Sequence, residues 1–174
     1  MDIKKTILVD ANFYIGNKNC FATASEVTAP ELKPKKIEFE TMASIGTVKL
    51  PSGKFEALEC KVKLTGFSPE VFEEVADTMN TVEVMVYSDI VEFNGDTVYR
   101  HIPAKLFMTC SASAFKVLGD KKGHENPEQE ISFDVSAFTL EIDGKIINKV
   151  DYVNNILIVN GKDLRKEVNA NLGI

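Results

Sequence analysis

Few residues of this 174-residue chain could do chemistry: the histidines His101 and His124, the cysteines Cys20, Cys60 and Cys110, and an oxygen-rich stretch with Asp10, Asn12, Asn17 and Asn19. A catalytic or metal-binding histidine needs a carboxylate, cysteine or second histidine at ligand spacing, and neither histidine has one nearby in sequence. The cysteines are odd in number, widely spaced and lack a C-x-x-C pair, which argues against a disulfide framework and a structural zinc site. Cys60 and Cys110 fall on the apolar parity of their segments, where a small hydrophobe is expected. The Asp10 to Asn19 stretch has the oxygens of a calcium loop, but its spacing is wrong and no glutamate arrives to bind bidentately. No G-x-G-x-x-G, phosphate-binding loop or G-x-S-x-G is present. The expectation is a noncatalytic protein that needs no metal or cofactor.

Charge narrows the partners. With 26 acidic against 20 basic side chains, the net charge is −6. An acidic chain without a Lys/Arg cluster lacks the concentrated positive charge that grips phosphates, although nothing prevents it from enclosing nucleic acid. No stretch of roughly 18 apolar residues occurs, so neither a transmembrane helix nor a membrane anchor is expected. Met1 to Asp10 interrupts its apolar run with Asp10 and has no small-residue cleavage site, so no secretory leader is expected.

The elements that position these residues are mostly strands. Leu58, Cys60, Val62 and Leu64 alternate with Glu59, Lys61 and Lys63; Val82, Val84 and Val86 alternate with Glu83, Met85 and Tyr87. Ile37 and Phe39 alternate with Lys36, Glu38 and Glu40. A period of two with one apolar parity predicts strands with one dry face. Asn94-Gly95, Asp143-Gly144 and Asn160-Gly161 supply the positive φ that tight hairpin turns demand. Ile131, Phe133 and Val135 are odd, whereas Phe138, Leu140 and Ile142 are even, so a bulge near Ser136-Ala137 is needed to keep one face apolar. Residues 97–117 form another long strand in which Pro103 marks an irregularity or an edge.

Two helices are expected. Ser68 as cap and Pro69 at the first helical position precede an apolar stripe of Phe72, Val75, Ala76 and Met79, which should lie across a sheet. The second runs from a cap at Asp163 through Leu164 and Val168 to about Ala170, before Gly173. Residues 43–53 and 119–129 are expected as loops. With no repeat, linker or low-complexity tract, residues 1–174 are expected to form one mainly β domain, an antiparallel sandwich or barrel braced by one helix. Its strand edges would be a liability unless covered, and oligomerisation through edges is one answer.

From Phe138 the sequence reads F-T-L-E-I-D-G-K-I-I-N-K-V-D-Y-V-N-N-I-L-I-V-N-G-K-D-L-R-K-E-V-N-A-N-L-G-I. Together with Asn12-Phe13 and Gly16, V-T-A-P-E-L-K-P-K-K-I-E-F-E at 27–40 and L-T-G-F-S-P-E-V-F-E-E-V at 64–75, it resembles the tail tube proteins of contractile-tailed phages and phage-like bacteriocins. The likeness spans nearly the whole chain and departs at 43–46, where the family is richer in glycine. The resemblance implies hexameric rings stacked into a hollow tube, each subunit lending two hairpins to a β-barrel around the lumen. It also implies a tape measure protein and then DNA inside, a sheath outside, and baseplate and terminator proteins at the ends. The setting it implies is a virion tail assembled in the bacterial cytoplasm.

On this basis the hairpins are expected to be 35–42 with 54–66, and 97–117 with 129–143. Their polar sides would present Glu38, Glu40, Thr109, Ser111, Ser113 and Asp134 to the lumen, with Lys61 and Lys63 at comparable parity. The same residues equally describe the solvent side of a sandwich. Expected assembly contacts are Ile45, Gly46 and Pro51 in the 43–53 segment and Leu164, Val168 and Leu172 near the carboxyl end, where a helix covering its own sheet is the alternative. A related injection machine would use the same tube, and a monomeric β-barrel carrier is a third reading.

Overall fold

The computed structural model describes residues 4–21, 23–40, 45–95, 97–118, 123–124 and 127–174. Five strands lead into the first helix and its flanking strand: β1 (Lys4–Ile15), β2 (Lys18–Asn19), β3 (Ala24–Thr28), β4 (Pro34–Phe39), β5 (Val48–Phe55), β6 (Leu58–Thr65) and α1 (Pro69–Val75). Then follow β7 (Val82–Asn94), β8 (Thr97–Phe115), β9 (Glu128–Ile142), β10 (Lys145–Asp151), β11 (Ile156–Val159), β12 (Lys162–Asp163) and α2 (Lys166–Leu172). All ladders are antiparallel, and the main sheet runs β12-β11-β10-β9-β8-β7-β1-β2, with β6 on β9 and β3 on β6. The fold is the mainly β, antiparallel architecture expected, but the sheet does not close within one chain.

The alternating parity places the core. Leu58, Cys60, Val62 and Leu64 of β6, Ile131, Phe133 and Val135 of β9, Met108, Cys110 and Ala112 of β8, and Phe13 and Ile15 of β1 pack together. α1 lies across this core with Val71 and Val75, one turn apart. Phe72 packs instead on Phe67 and Phe115, and Met79 lies beyond the helix and is exposed. Ser68 caps with its backbone carbonyl, which accepts the amide of Phe72, rather than with its hydroxyl.

The phase change in β9 is resolved as expected. Thr109 faces Ala137 and Cys110 faces Val135, so Ser136 is the extra residue, its hydroxyl donating to the Thr109 carbonyl at 3.1 Å. β9 changes partner at this bulge: residues before it pair with β6, those after it with β10. Both two-residue turns at 143–144 and 160–161 have positive φ throughout, the type I′ geometry that matches strand twist. Pro103 lies opposite Asp89 in β8 and its carbonyl accepts the amide of Asp143, just past the last β9 pair at Ala104 and Ile142. A strand residue aims its N–H and C=O to the same side, so the missing donor of Pro103 faces the end of β9 rather than a ladder.

One expected hairpin is corrected. The 34–39 strand pairs not with 54–66 but with Val48–Phe55, which was expected as loop; Pro51 is therefore a strand residue opposite Lys36. The 58–65 strand, whose alternating burial is strict, is taken up by β3 and β9. Residues 43 and 44 of the family departure, and 119–122 and 125–126 of the second expected loop, lie outside the described residues. α2 begins after Arg165 rather than at Asp163 and ends at Gly173, whose φ of 73° is the left-handed cap glycine permits.

Phe133 is fully buried, so Phe133→Ala should destabilise the chain by about 3–5 kcal/mol in denaturant titration. Ser136→Ala should cost only about 1 kcal/mol, the net value of one hydrogen bond. Deleting Ser136 should abolish cooperative unfolding, because Phe138, Leu140 and Ile142 would then face the wrong side.

Candidate assembly and conduit surfaces

The face of β6, β9 and β8 opposite the core is built from short and charged side chains. Asp134 sits between Glu59 and Ser111, Ser132 opposes Lys61, and Glu130 opposes Lys63. Thr109 continues the row toward Glu83 of β7. Ser113 is the extra residue of a second bulge, between Ala112 and Ala114, and is exposed. Thr109, Ser111, Ser113 and Asp134 thus come together on one region of sheet, as their spacing suggested. Glu38 and Glu40 do not join them: Glu38 lies on the separate β4–β5 hairpin, paired with Lys49 at 3.0 Å, and Glu40 follows β4 in exposed coil.

This polar face is mixed in charge rather than uniformly acidic. Lys63 binds Glu26 of β3 at 2.7 Å, while the carboxylates of Glu59 and Asp134 are directly opposed, an arrangement that costs stability. Farther along the same face the character changes to aromatic, with Tyr14 edge-on to Tyr87 at 5.6 Å and Tyr87 edge-on to Phe107 at 6.1 Å. Sequence parity placed Met85 and Tyr87 here as merely polar-side residues and missed the cluster, because it forms only when β1, β7 and β8 lie side by side.

The root of the β4–β5 hairpin is tied to the carboxyl-terminal elements. The Tyr152 hydroxyl donates to the Glu56 carbonyl at 2.9 Å, and the Arg165 guanidinium donates to the Gly53 carbonyl at 3.4 Å and to Asn155 at 3.1 Å. Asn169 of α2 bonds both the side chain and the carbonyl of Asn155. The turn presenting Tyr152 is itself held by Asp151, which accepts from the backbone and side chain of Asn154 at 2.9 and 2.7 Å. α2 is therefore fastened by polar contacts: none of its side chains is buried, and Leu164, Val168 and Leu172 remain 37–63% exposed. Ile45 and Gly46 are exposed just before β5.

The residues first considered for chemistry are occupied otherwise. All three cysteines are buried and free, and burial pushes the thiol of Cys60 up to about 11 and that of Cys110 to about 12, so neither forms a thiolate at neutral pH. His101 pairs through Nδ1 with Asp89 on the neighbouring strand, a partner that only the β7–β8 register brings near. Arg100 bridges Glu92 at 2.8 Å and Asp143 at 3.8 Å at the same end of the blade. Among the described residues no cluster of three or more His, Cys, Asp or Glu side chains is placed to hold a metal ion.

A family model described as phage tail tube protein FII matches residues 5–173. The chain belongs to this tail tube family. Its members are structural proteins rather than enzymes, and a tail component is the role the family assigns. The fold is similar to a chain of the sheath-tube complex of the extracellular contractile injection system PVC in its extended state, with 11% identity and a TM-score of 0.52, covering 75% of this chain and 87% of that one. It is also similar to a chain of the PVC sheath/tube terminator, with 11% identity and a TM-score of 0.53 over 75% and 92% of the two chains. The anti-feeding prophage tube-terminating cap matches with 11% identity and a TM-score of 0.53 over 75% and 87%. At such identity these likenesses speak to the fold. No curated protein sequence matches. No helix of the described residues is long and apolar enough to cross a membrane.

The Asp151 turn predicts a pH dependence. Partial burial would raise the Asp151 pKa, but the Asn154 side chain, the backbone amides of Asn154 and Val153 and the charge of Lys149 outweigh it and hold it below the ordinary 3.8. A depressed carboxylate stabilises the fold above its unfolded-state pKa and loses that contribution as pH falls through the folded value. Asp151→Asn should therefore be less stable than the native chain at pH 6, and the gap between their melting midpoints should shrink as pH falls below about 4.

Proposed function

We propose that this chain stacks as hexameric rings into the inner tube of a contractile phage tail, residues 1–174 acting as one tail tube domain. The observation that carries the reading is the tail tube family match over nearly the whole chain. It is supported by a sheet that stays open in the single subunit and by apolar side chains left exposed on the β4–β5 hairpin and on α2. In this reading the sheath surrounds the tube, the tape measure protein and then DNA occupy it, and baseplate and terminator proteins close its ends. Assembly takes place in the cytoplasm of the bacterial host.

The conduit wall is assigned to the small polar region of β8 and β9, with Thr109, Ser111, Ser113 and Asp134. Short side chains of mixed charge offer phosphates no concentrated positive field, so DNA slides past without sequence-specific binding. Glu38 and Glu40, carried on a hairpin remote from that region in register, are assigned with Ile45, Gly46 and Pro51 to subunit contacts. Leu164, Val168 and Leu172 form a further contact, because a helix with an exposed apolar stripe and no buried side chain of its own gains by docking elsewhere. The fold likeness to PVC proteins favours a second reading, the inner tube of a related injection machine or headless bacteriocin.

Negative-stain electron microscopy of concentrated protein, alone and seeded with preformed tubes or baseplates, should show hollow rods with six-fold end views. A sample that stays monomeric under both conditions would refute the tube and favour a monomeric β-barrel carrier. In assembled rods, Asp134→Cys should react with a small maleimide and resist a large polymer-linked one, whereas equal labelling by both would place this face outside the tube. Removing residues 162–174 should leave the monomer's thermal transition nearly unchanged and abolish rods.

A further inference from the structure

Two apolar surfaces of this chain are left without cover, and they differ in shape. The first is one face of the β4–β5 hairpin. Ile37 opposes Leu50 and Phe39 opposes Val48, so all four share a face, while Glu38 with Lys49 and Lys36 with Pro51 occupy the other. These four side chains are 48–57% exposed and form a patch on the order of 400 Å², within the range where the largest patch on a soluble monomer is often functional. An isolated two-stranded hairpin is marginal in water, so this one is expected to gain by burying that face.

The second surface is the open seam of the sheet. β6 leaves β9 at Ser136, so the inner face of the β7–β8–β9 blade beyond that point has no opposing strand of its own among the described residues. A groove of about 430 Å³ runs there between the edges of β1 and β3, lined by Leu8, Val27, Val86, Ile90, Leu106 and Leu140. Along Lys4–Asn12 the described ladder pairs β1 with β7 alone, leaving its other backbone edge available. The charges at the groove rim already have partners within the chain, Glu26 with Lys63 at 2.7 Å and Lys105 with Glu141 at 3.6 Å. An apolar occupant therefore strands no charge there.

We propose that the apolar face of the β4–β5 hairpin of one copy seats in the seam groove of the next copy, Ile37, Phe39, Val48 and Leu50 packing on the blade. The occupant is a second copy because donor and acceptor are different patches on the same chain. Such a heterologous contact repeats in one direction, as rings and filaments require, instead of closing into a two-fold dimer. The hairpin is presented for this by a fixed root, tied through Glu56 to Tyr152 and through Gly53 to Arg165. The inference rests on the tube reading and specifies which surfaces meet.

The test mixes separately purified subunits carrying Phe39→Cys with subunits carrying Leu8→Cys, Ile90→Cys or Leu140→Cys, assembles them, and applies a short bismaleimide. The native cysteines are buried, so unmodified chains provide the background. The expected result is a cross-linked dimer in at least one mixture and none in the native control. Rods that form without any such cross-link would overturn the hairpin-in-seam contact while leaving the tube intact. Absence of rods from the native chain even when seeded would overturn both. A cross-link found only within single chains that carry Phe39→Cys and Ile90→Cys together would show the hairpin closing its own seam and also overturn the proposal. As an independent arm, Phe39→Asp should retain the monomer's melting transition and lose rods; normal rod formation would count against the contact.

Discussion

A β-sheet satisfies its backbone by pairing, and a sheet that does not close leaves donors, acceptors and half of an apolar face in water. This constraint organises the molecule. One end is finished: β6, β9, β8 and β1 wrap a core sealed by α1, with Phe133, Leu64 and Ile131 fully buried. The other end is unfinished, because the Ser136 bulge sends β9 to a new partner and leaves the blade without a facing strand. A structural protein with no catalytic constellation has this surface to work with, and open edges plus uncovered apolar faces are the raw material of repeated assembly.

The two faces of the sheet divide the work. Side chains of one parity build the core and those of the other are exposed, so a single strand such as β8 supplies Met108 and Cys110 to the interior while turning Thr109 and Ser111 outward. The outward face is itself divided into a small, charged region and an aromatic region around Tyr14, Tyr87 and Phe107. That division is what a subunit needs when part of one face borders an aqueous channel and another part meets a neighbour. The carboxyl-terminal turn and helix serve a third purpose, holding the root of the hairpin with hydrogen bonds rather than with buried area.

Much of this was legible in sequence because strand periodicity is local. The buried set Leu58, Cys60, Val62 and Leu64, the bulge at Ser136, and the Asp143-Gly144 and Asn160-Gly161 turns are read from neighbouring residues, since side-chain direction and positive φ depend on little else. The family likeness was legible for a different reason: the order of its segments survives along the whole chain. What local pattern misread was the 43–53 stretch. Its prolines and glycines suggested loop, yet most of it is the β5 strand, which tolerates Pro51 and Gly53 because the hairpin stands apart from the main sheet.

Sequence by itself determined which residues are strands, which parity is apolar, where the chain turns and that no catalytic chemistry is assembled. Tertiary structure decided which strand meets which. Backbone donors and acceptors are the same in every strand, so pairing is chosen by long-range packing rather than by local composition. That choice separated Glu38 from Ser111 and Asp134, brought Asp89 to His101, and set β4 against β5 rather than β6. It also left Ile37 and Phe39, whose alternation promised a dry face, half in solvent, because no surface of their own subunit covers them.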